Sequence, residues 1–235
     1  MKSLVISLGG SVLVPNLSAH RIVEYAAALR QVSEKYRVFV VVGGGGEARR
    51  YIEAVRTLGV DEGTCDEIGI LVTRLNATLL IAALGDSAYP CVAEDQAMAL
   101  EYAVSGRIVV MGGVTPAQTT DAVAAVLAER TGAAILVNLT SVDGIYSADP
   151  KTDASATRYT HLTPDRLAEI VGGSRLNAGS NTVMDAIAVK IIQRSGIPLV
   201  VLDGRQPKNL PDAIISGRFS GTFVCRENNT RLLPL

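Results

Sequence analysis

Apolar runs and helical spacings alternate along nearly the whole chain. Ser3–Leu8 is a short apolar run that ends in Gly9-Gly10-Ser11. After Ser18, the residues Ile22, Ala26, Leu29 and Val32 recur at the spacing of one helix face. Val38–Val42 predicts a second strand and Glu47–Leu58 the helix after it. A longer helix starts near Thr64, where Ile68, Val72, Leu75 and Leu79 lie four, three and four positions apart. Ala88–Val92 predicts a strand, Asp95–Ala103 a helix, and Ile108–Met111 a strand closed by Gly112-Gly113. Thr120–Arg130 reads as a helix and Ala134–Thr140 as a buried strand. Thr163-Pro164-Asp165 is a helix start, a cap followed by proline in the first turn. Thr182–Ser195 predicts a helix closed by Gly196, and Pro198–Leu202 a strand. A short helix near Pro211–Ser216 and a strand at Gly221–Val224 follow.

Strands alternating with helices imply an α/β protein with a mainly parallel sheet covered on both faces. The runs VFVVV and AAILV, apolar on both faces, agree with that burial. Ligands in such sheets lie outside the carboxyl ends of the strands. The turns at Gly9, Gly43 and Gly112, and the loop Thr140–Pro150, should therefore share one rim. No flexible linker, low-complexity run or repeat interrupts the pattern. Any division into lobes would be functional, with a break near Met111–Asp121. Residues 227–235 (ENNTRLLPL) lack periodicity and are expected to fray.

Composition narrows the class. The 235 residues are 48% hydrophobic and 19% charged, with a formal net charge of −1, which argues against a nucleic acid or an anionic membrane surface as partner. Cys65, Cys91 and Cys225 lie far apart, and His20 and His161 are the only histidines, so neither a disulfide framework nor a zinc site is indicated. The first apolar run is too short for a signal peptide, and no apolar stretch is expected to reach membrane-spanning length. The expected location is the cytoplasm.

The stretch from Val38 to Arg50, VFVVVGGGGEARR, carries the most chemistry. A strand running through Gly43-Gly44-Gly45-Gly46 into a helix aims backbone N–H groups and the positive end of a helix dipole into a concavity, as a phosphate site requires. A Cβ there would keep an anion off the backbone or forbid a φ > 0 turn. Arg49 and Arg50 are expected on the first helical turn, within reach of the same anion. Gly9-Gly10-Ser11 offers a second amide site. Met111–Ala122 (MGGVTPAQTTDA) adds Thr119 and Thr120 hydroxyls at a helix start, for capping or for reading a ligand's edge. Asn138–Lys151 (NLTSVDGIYSADPK) offers Thr140, Asp143, Tyr146 and Asp149, where a tyrosine can stack on a base and carboxylates can bind ribose. Two phosphate turns suggest a donor facing an acceptor, and transfer between them is mostly positioning and charge neutralisation. Only five lysines are present. Of these, Lys190 follows Asp185 by five residues and is either a site cation or an exposed helix lysine.

Standard nucleotide motifs are mostly missing. No Gly-Lys-Ser/Thr follows a glycine loop. Gly43-x-Gly45-x-x-Ala48 matches the dinucleotide fingerprint, yet the acidic residues at its expected distance, Asp61–Asp66, enter a helix instead of ending a strand.

In this order the segments resemble the amino acid kinase family, and within it the archaeal type of uridylate kinase. The resemblance rests on Leu8-Gly9-Gly10-Ser11-Val12-Leu13-Val14-Pro15, on Val41-Val42-Gly43-Gly44-Gly45 with Arg49, and on Met111-Gly112-Gly113. Thr119-Thr120-Asp121-Ala122-Val123-Ala124-Ala125 and Val142–Lys151 complete it. It spans the chain to about Val224. It implies a three-layer α/β/α sandwich, one domain over 1–235 with an acceptor lobe (1–120) and an ATP lobe (121–224), and a homohexamer. It further implies Mg²⁺-dependent transfer of the ATP γ-phosphoryl group to UMP. By position, Gly9, Gly10, Ser11, Gly45 and Arg49 would face the ATP phosphates. Thr140, Asp143, Tyr146 and Asp149 would hold the rest of ATP. Gly44, Asp66 and the segment Val114, Thr115, Pro116, Ala117, Gln118, Thr119 and Thr120 would hold UMP. Arg49, Asp185 and Lys190 form the implied catalytic set, with no protein side chain assigned to the metal.

One departure from the pattern stands out. Many members carry a lysine two residues before the first glycine, where this chain has Ser7. Lys2 lies roughly 16 Å away along a strand and cannot replace it. The archaeal-type uridylate kinases commonly lack that lysine too, which leaves Arg49 and Lys190 to share the neutralising charge. Other readings keep the fold and change the acceptor to carbamate, acetylglutamate, aspartate or isopentenyl phosphate. Neither histidine suits the isopentenyl phosphate pocket, and there is no room for the regulatory domains of aspartate kinases. A non-catalytic nucleotide-binding storage or sensor protein is the remaining alternative.

Overall fold

The computed structural model describes residues 1–148, 150, 152–153, 155–173 and 184–226. A seven-stranded sheet runs in the order β3-β2-β1-β4-β6-β7-β5. Its strands are β1 (Ser3–Leu8), β2 (Arg37–Val42), β3 (Val109–Met111), β4 (Ile135–Thr140), β5 (His161–Leu162), β6 (Leu199–Asp203) and β7 (Gly221–Val224). All neighbouring pairs are parallel except β6–β7.

Alternation along the strands builds two cores. One side chain set (Leu4, Ile6, Val38, Val40, Val137) packs beneath α2 (Ala19–Ser33), α4 (Glu62–Leu84) and α9 (Asn209–Ser216). The other (Val5, Phe39, Val41, Leu136, Val201) packs against α5 (Gln96–Tyr102), α6 (Thr120–Thr131), α7 (Pro164–Gly173) and α8 (Ala186–Ser195). The expected three-layer α/β/α sandwich is what forms. Two further helices, α1 (Gly10–Leu13) and α3 (Gly45–Arg56), follow β1 and β2 directly.

The chain steps from β1 outward to β2 and β3, then returns to place β4 on the free side of β1. The strand order reverses at β1, and that is where an open parallel sheet leaves a crevice at its carboxyl edge. Register brings Leu8, Val42 and Leu139 level, so the turns after β1, β2 and β4 emerge side by side.

Several expectations need correction. The strand at Ala88–Val92 reduces to single bridges, Ala88 with Ile108 and Ala93 with Met111, because Pro90 lacks the N–H a ladder needs. Arg49 and Arg50 sit on the second turn of α3, since the helix already begins at Gly45. Glu62–Ser87 is, by length and composition, apolar enough to cross a membrane, contrary to expectation. Its inward face nevertheless buries Thr73 and Asn76 among apolar neighbours. The strand β5 carries no periodic signal in two residues. The helix start at Thr182, Asp149 and the tail 227–235 lie outside the described residues.

Candidate active site

The two glycine turns touch backbone to backbone. A Cβ on Gly10 would lie 2.3 Å from the Gly43 carbonyl oxygen and 2.4 Å from the Gly45 nitrogen. One on Gly45, where φ is +66°, would lie 2.6 Å from the Gly10 carbonyl carbon. A Cβ on Gly43 would lie 2.9 Å from the Gly10 nitrogen. The glycines are therefore required first for turn-on-turn contact, a reason the sequence alone does not reveal. Gly46 differs: a Cβ there meets nothing within 4 Å, so it borders open space.

α4 backs both turns and the third segment of the rim. The Asn76 amide donates to the Gly43 carbonyl (3.0 Å) and the Gly44 carbonyl (3.2 Å). The Thr73 hydroxyl accepts from Gly113 N–H (2.6 Å) and donates to the Ile70 carbonyl (2.6 Å). Asp66 accepts the Ala117 N–H at 2.8 Å, holding a non-glycine residue at φ 63°. Asp66 thus joins the exposed 115–119 loop.

At the start of α6, Thr119 caps the helix by accepting from Ala122 N–H (3.2 Å) and also donates to Asp185 Oδ2 (2.5 Å). Asp185 in turn caps α8 by accepting the Ile187 N–H at 2.7 Å. Asp121 accepts the Ser7 hydroxyl at 2.7 Å. Burial, with the nearby negative charge of Asp185, lifts the Asp121 carboxyl to about 6, against the pull of the Ser7 hydrogen bond. Ser7 stands out in the sequence only as the place of a missing lysine and Asp121 only as part of a quoted motif. Neither is given a site role there, because an aspartate one position into a helix beside two threonines reads as ordinary capping. Asn76 and Thr73 left a fainter trace, two polar residues on the apolar side of a helix.

On the other flank, the rim continues after β4. Gly9 N–H donates to the Leu139 carbonyl (3.0 Å) and Gly204 N–H to the Thr140 carbonyl (2.7 Å), so Thr140 stands next to the first glycine turn. Asp143 and Tyr146 meet directly, the phenol donating to Asp143 Oδ1 at 2.8 Å. Ser11 at the start of α1 and Arg49 on α3 are exposed, Arg50 is tied to Glu47 at 2.9 Å, and Lys190 is exposed on α8. Among the described residues no group of three His, Cys, Asp or Glu forms a metal cage. A hard cation that dehydrates reluctantly, such as Mg²⁺, needs only one or two carboxylates when phosphates supply the rest, and Asp121 with Asp185 fits that description.

Paired glycine turns at the switch point of a parallel sheet, flanked by carboxylates and small polar groups, define a phosphate-handling α/β protein. The sequence pattern of the amino acid kinase family matches residues 2–203, and the chain belongs to that family. A uridylate kinase from Methanoculleus marisnigri is 62% identical over 99% of this chain and 99% of its own length. A uridylate kinase from Methanoregula boonei is 57% identical over the full length of both. The crystal structure of uridylate kinase from Archaeoglobus fulgidus superimposes with a TM-score of 0.87 at 48% identity, covering 96% of this chain and all of the other.

Proposed function

We propose that this chain is an ATP-dependent uridylate kinase, transferring the γ-phosphoryl group of ATP to UMP to give UDP and ADP. The observation that supports the reading most is the contact of Gly10 with Gly43–Gly45, which joins the two glycine turns into one wall; the reading sets one phosphate on each side of it. Gly9, Gly10, Ser11, Gly45 and Arg49 face the donor phosphates, with Thr140, Asp143, Tyr146 and Asp149 around the nucleoside. Gly44, Asp66 and residues Val114 to Thr120 receive UMP. The acceptor lobe is then 1–120 and the ATP lobe 121–224.

Transfer between two phosphates needs alignment and charge neutralisation more than covalent help. Gly9 and Gly43 donate their N–H groups to the Leu139 and Leu8 carbonyls, and the other amides of the glycine turns supply fixed donors at no reorganisation cost. Asp185 holds the Thr119 hydroxyl and the start of α8 together, and Asp121 anchors β1 to α6 beside them. Mg²⁺, when bound with ATP, neutralises phosphate charge; Asp121 and Asp185 would hold it. Arg49 and Lys190 complete the cation set in place of the lysine that Ser7 replaces. A cytoplasmic homohexamer without nucleic-acid or membrane partners belongs to the same proposal.

The test is a coupled ADP-release assay with UMP, CMP, dCMP, carbamate and acetylglutamate as acceptors. UMP should give the largest kcat/KM. Turnover with another acceptor but not UMP would overturn the substrate assignment, and ATP binding without turnover would favour a sensor.

A further inference from the structure

The loop after β4 is anchored by a residue outside the donor set described above. Two short legs, residues 145–147 and 157–159, pair as a hairpin: Tyr146 bridges Arg158, Ser147 N–H donates to the Thr157 carbonyl (3.0 Å), and Tyr159 N–H donates to the Ile145 carbonyl (2.9 Å). Fully buried Thr222 on β7 clips both legs. Its hydroxyl accepts the Ile145 N–H at 2.8 Å and donates to the Tyr159 carbonyl at 2.5 Å.

Arg158 then reaches across the hairpin mouth. Its Nη1 donates to Asp143 Oδ2 at 2.7 Å and to the Asp143 carbonyl at 3.2 Å. The other carboxylate oxygen is the one that receives the Tyr146 phenol. The guanidinium stem lies against Gly144, where φ is +149° and a Cβ would fall 2.8 Å from Arg158 Cδ. One carboxylate is thus held between a cation and a phenol, and the tyrosine ring is fixed at its backbone and at its hydroxyl. A ring with both ends fixed presents a constant plane, which lowers the ordering cost of stacking a flat ligand on it.

We propose that Arg158, acting through Asp143, is the positioning residue of the donor nucleoside subsite. It sets the plane of Tyr146 and the course of the 141–146 loop before ATP arrives. The proposal rests on the assignment of the Thr140–Tyr146 rim to ATP. It also gives Asp143 a specific task, as the link between Arg158 and Tyr146 in place of a bare ribose ligand. Both contacts come from one nitrogen, Nη1, so a lysine ammonium brought to the same place could remake them in part, while the planar guanidinium, its stem packed on Gly144, fixes that nitrogen better.

Four proteins test it: the parent, Arg158→Ala, Arg158→Lys and Tyr146→Ala. Binding of a non-hydrolysable ATP analogue is measured by calorimetry, alongside steady-state kinetics and thermal midpoints. Arg158→Ala should weaken analogue binding and raise KM for ATP about tenfold, the scale of one charge-assisted hydrogen bond. KM for UMP and kcat at saturating ATP should stay within about twofold of the parent, with Arg158→Lys recovering part of the loss. Analogue binding unchanged in Arg158→Ala but weakened in Tyr146→Ala overturns the role of Arg158 and leaves the ATP rim standing. Binding unchanged in both overturns the rim assignment as well. A parallel rise in both KM values with a lowered thermal midpoint shows a purely structural arginine, and overturns the proposal too.

Discussion

Asp121 sits where its charge is least welcome: it is sunk beside the sheet, faces Asp185, and has one hydroxyl, Ser7, to receive. Its carboxyl titrates near 6 when folded and near the ordinary 3.8 when unfolded. Between those values the folded chain keeps a proton that the unfolded chain has released, so stability falls as pH rises through this window. Above about pH 6 the cost is constant, at most about 3 kcal/mol for a shift of this size. Asp121→Asn should therefore flatten the pH dependence of unfolding between about pH 4 and 6, seen in urea melts taken across that range. Matching slopes in parent and variant would show that the group is not strained. Ser7→Ala should push the Asp121 titration higher, since it removes the bond that favours the ionised form.

At the level of elements, the glycines divide into two kinds that look alike in the sequence. Gly10→Ala forces a Cβ into carbonyl and amide groups of the turn after β2, with no flexible side chain to yield. Loss of several kcal/mol, or failure to fold, is expected, in the manner of other overpacked sites. Gly46→Ala places its methyl in open space on a helix and should raise stability by up to about 1 kcal/mol. Thermal unfolding of the two proteins separates these outcomes, and equal destabilisation would contradict the packing argument. The same contrast shows what was legible beforehand. Strand and helix positions followed from period, because burial imposes period directly. Arg158 and Thr222 left no such mark: each works through a partner 15 or 63 residues away. Ala88–Val92 misled although its warning was local: Pro90 in the middle removes a ladder N–H and demotes the run to single bridges.

Over the whole molecule, α4 connects the site to the surface. Its inner face holds the glycine turns through Asn76 and Thr73, while Leu71 (62% exposed), Leu75 (59%) and Leu79 (36%) line its outer face. A row of leucines at four-residue spacing is costly to leave in water, and the proposed homohexamer would cover it. Leu71→Glu with Leu75→Glu should lower the assembly state in sedimentation experiments. Unchanged sedimentation would place the subunit contact elsewhere.

The sequence by itself determined the α/β class, nearly every strand and helix, and the rim on which the glycine turns lie. Each of these follows from local propensity and from the period that a buried face demands. The tertiary structure alone decided that the turn after β1 presses on the turn after β2, and that β4 returns beside β1 to open the crevice. It also decided that Asp121 meets Ser7, a contact spanning 114 positions. Such contacts depend on strand order and register, and a linear pattern of polar and apolar residues does not encode which distant backbone comes to lie within three ångströms.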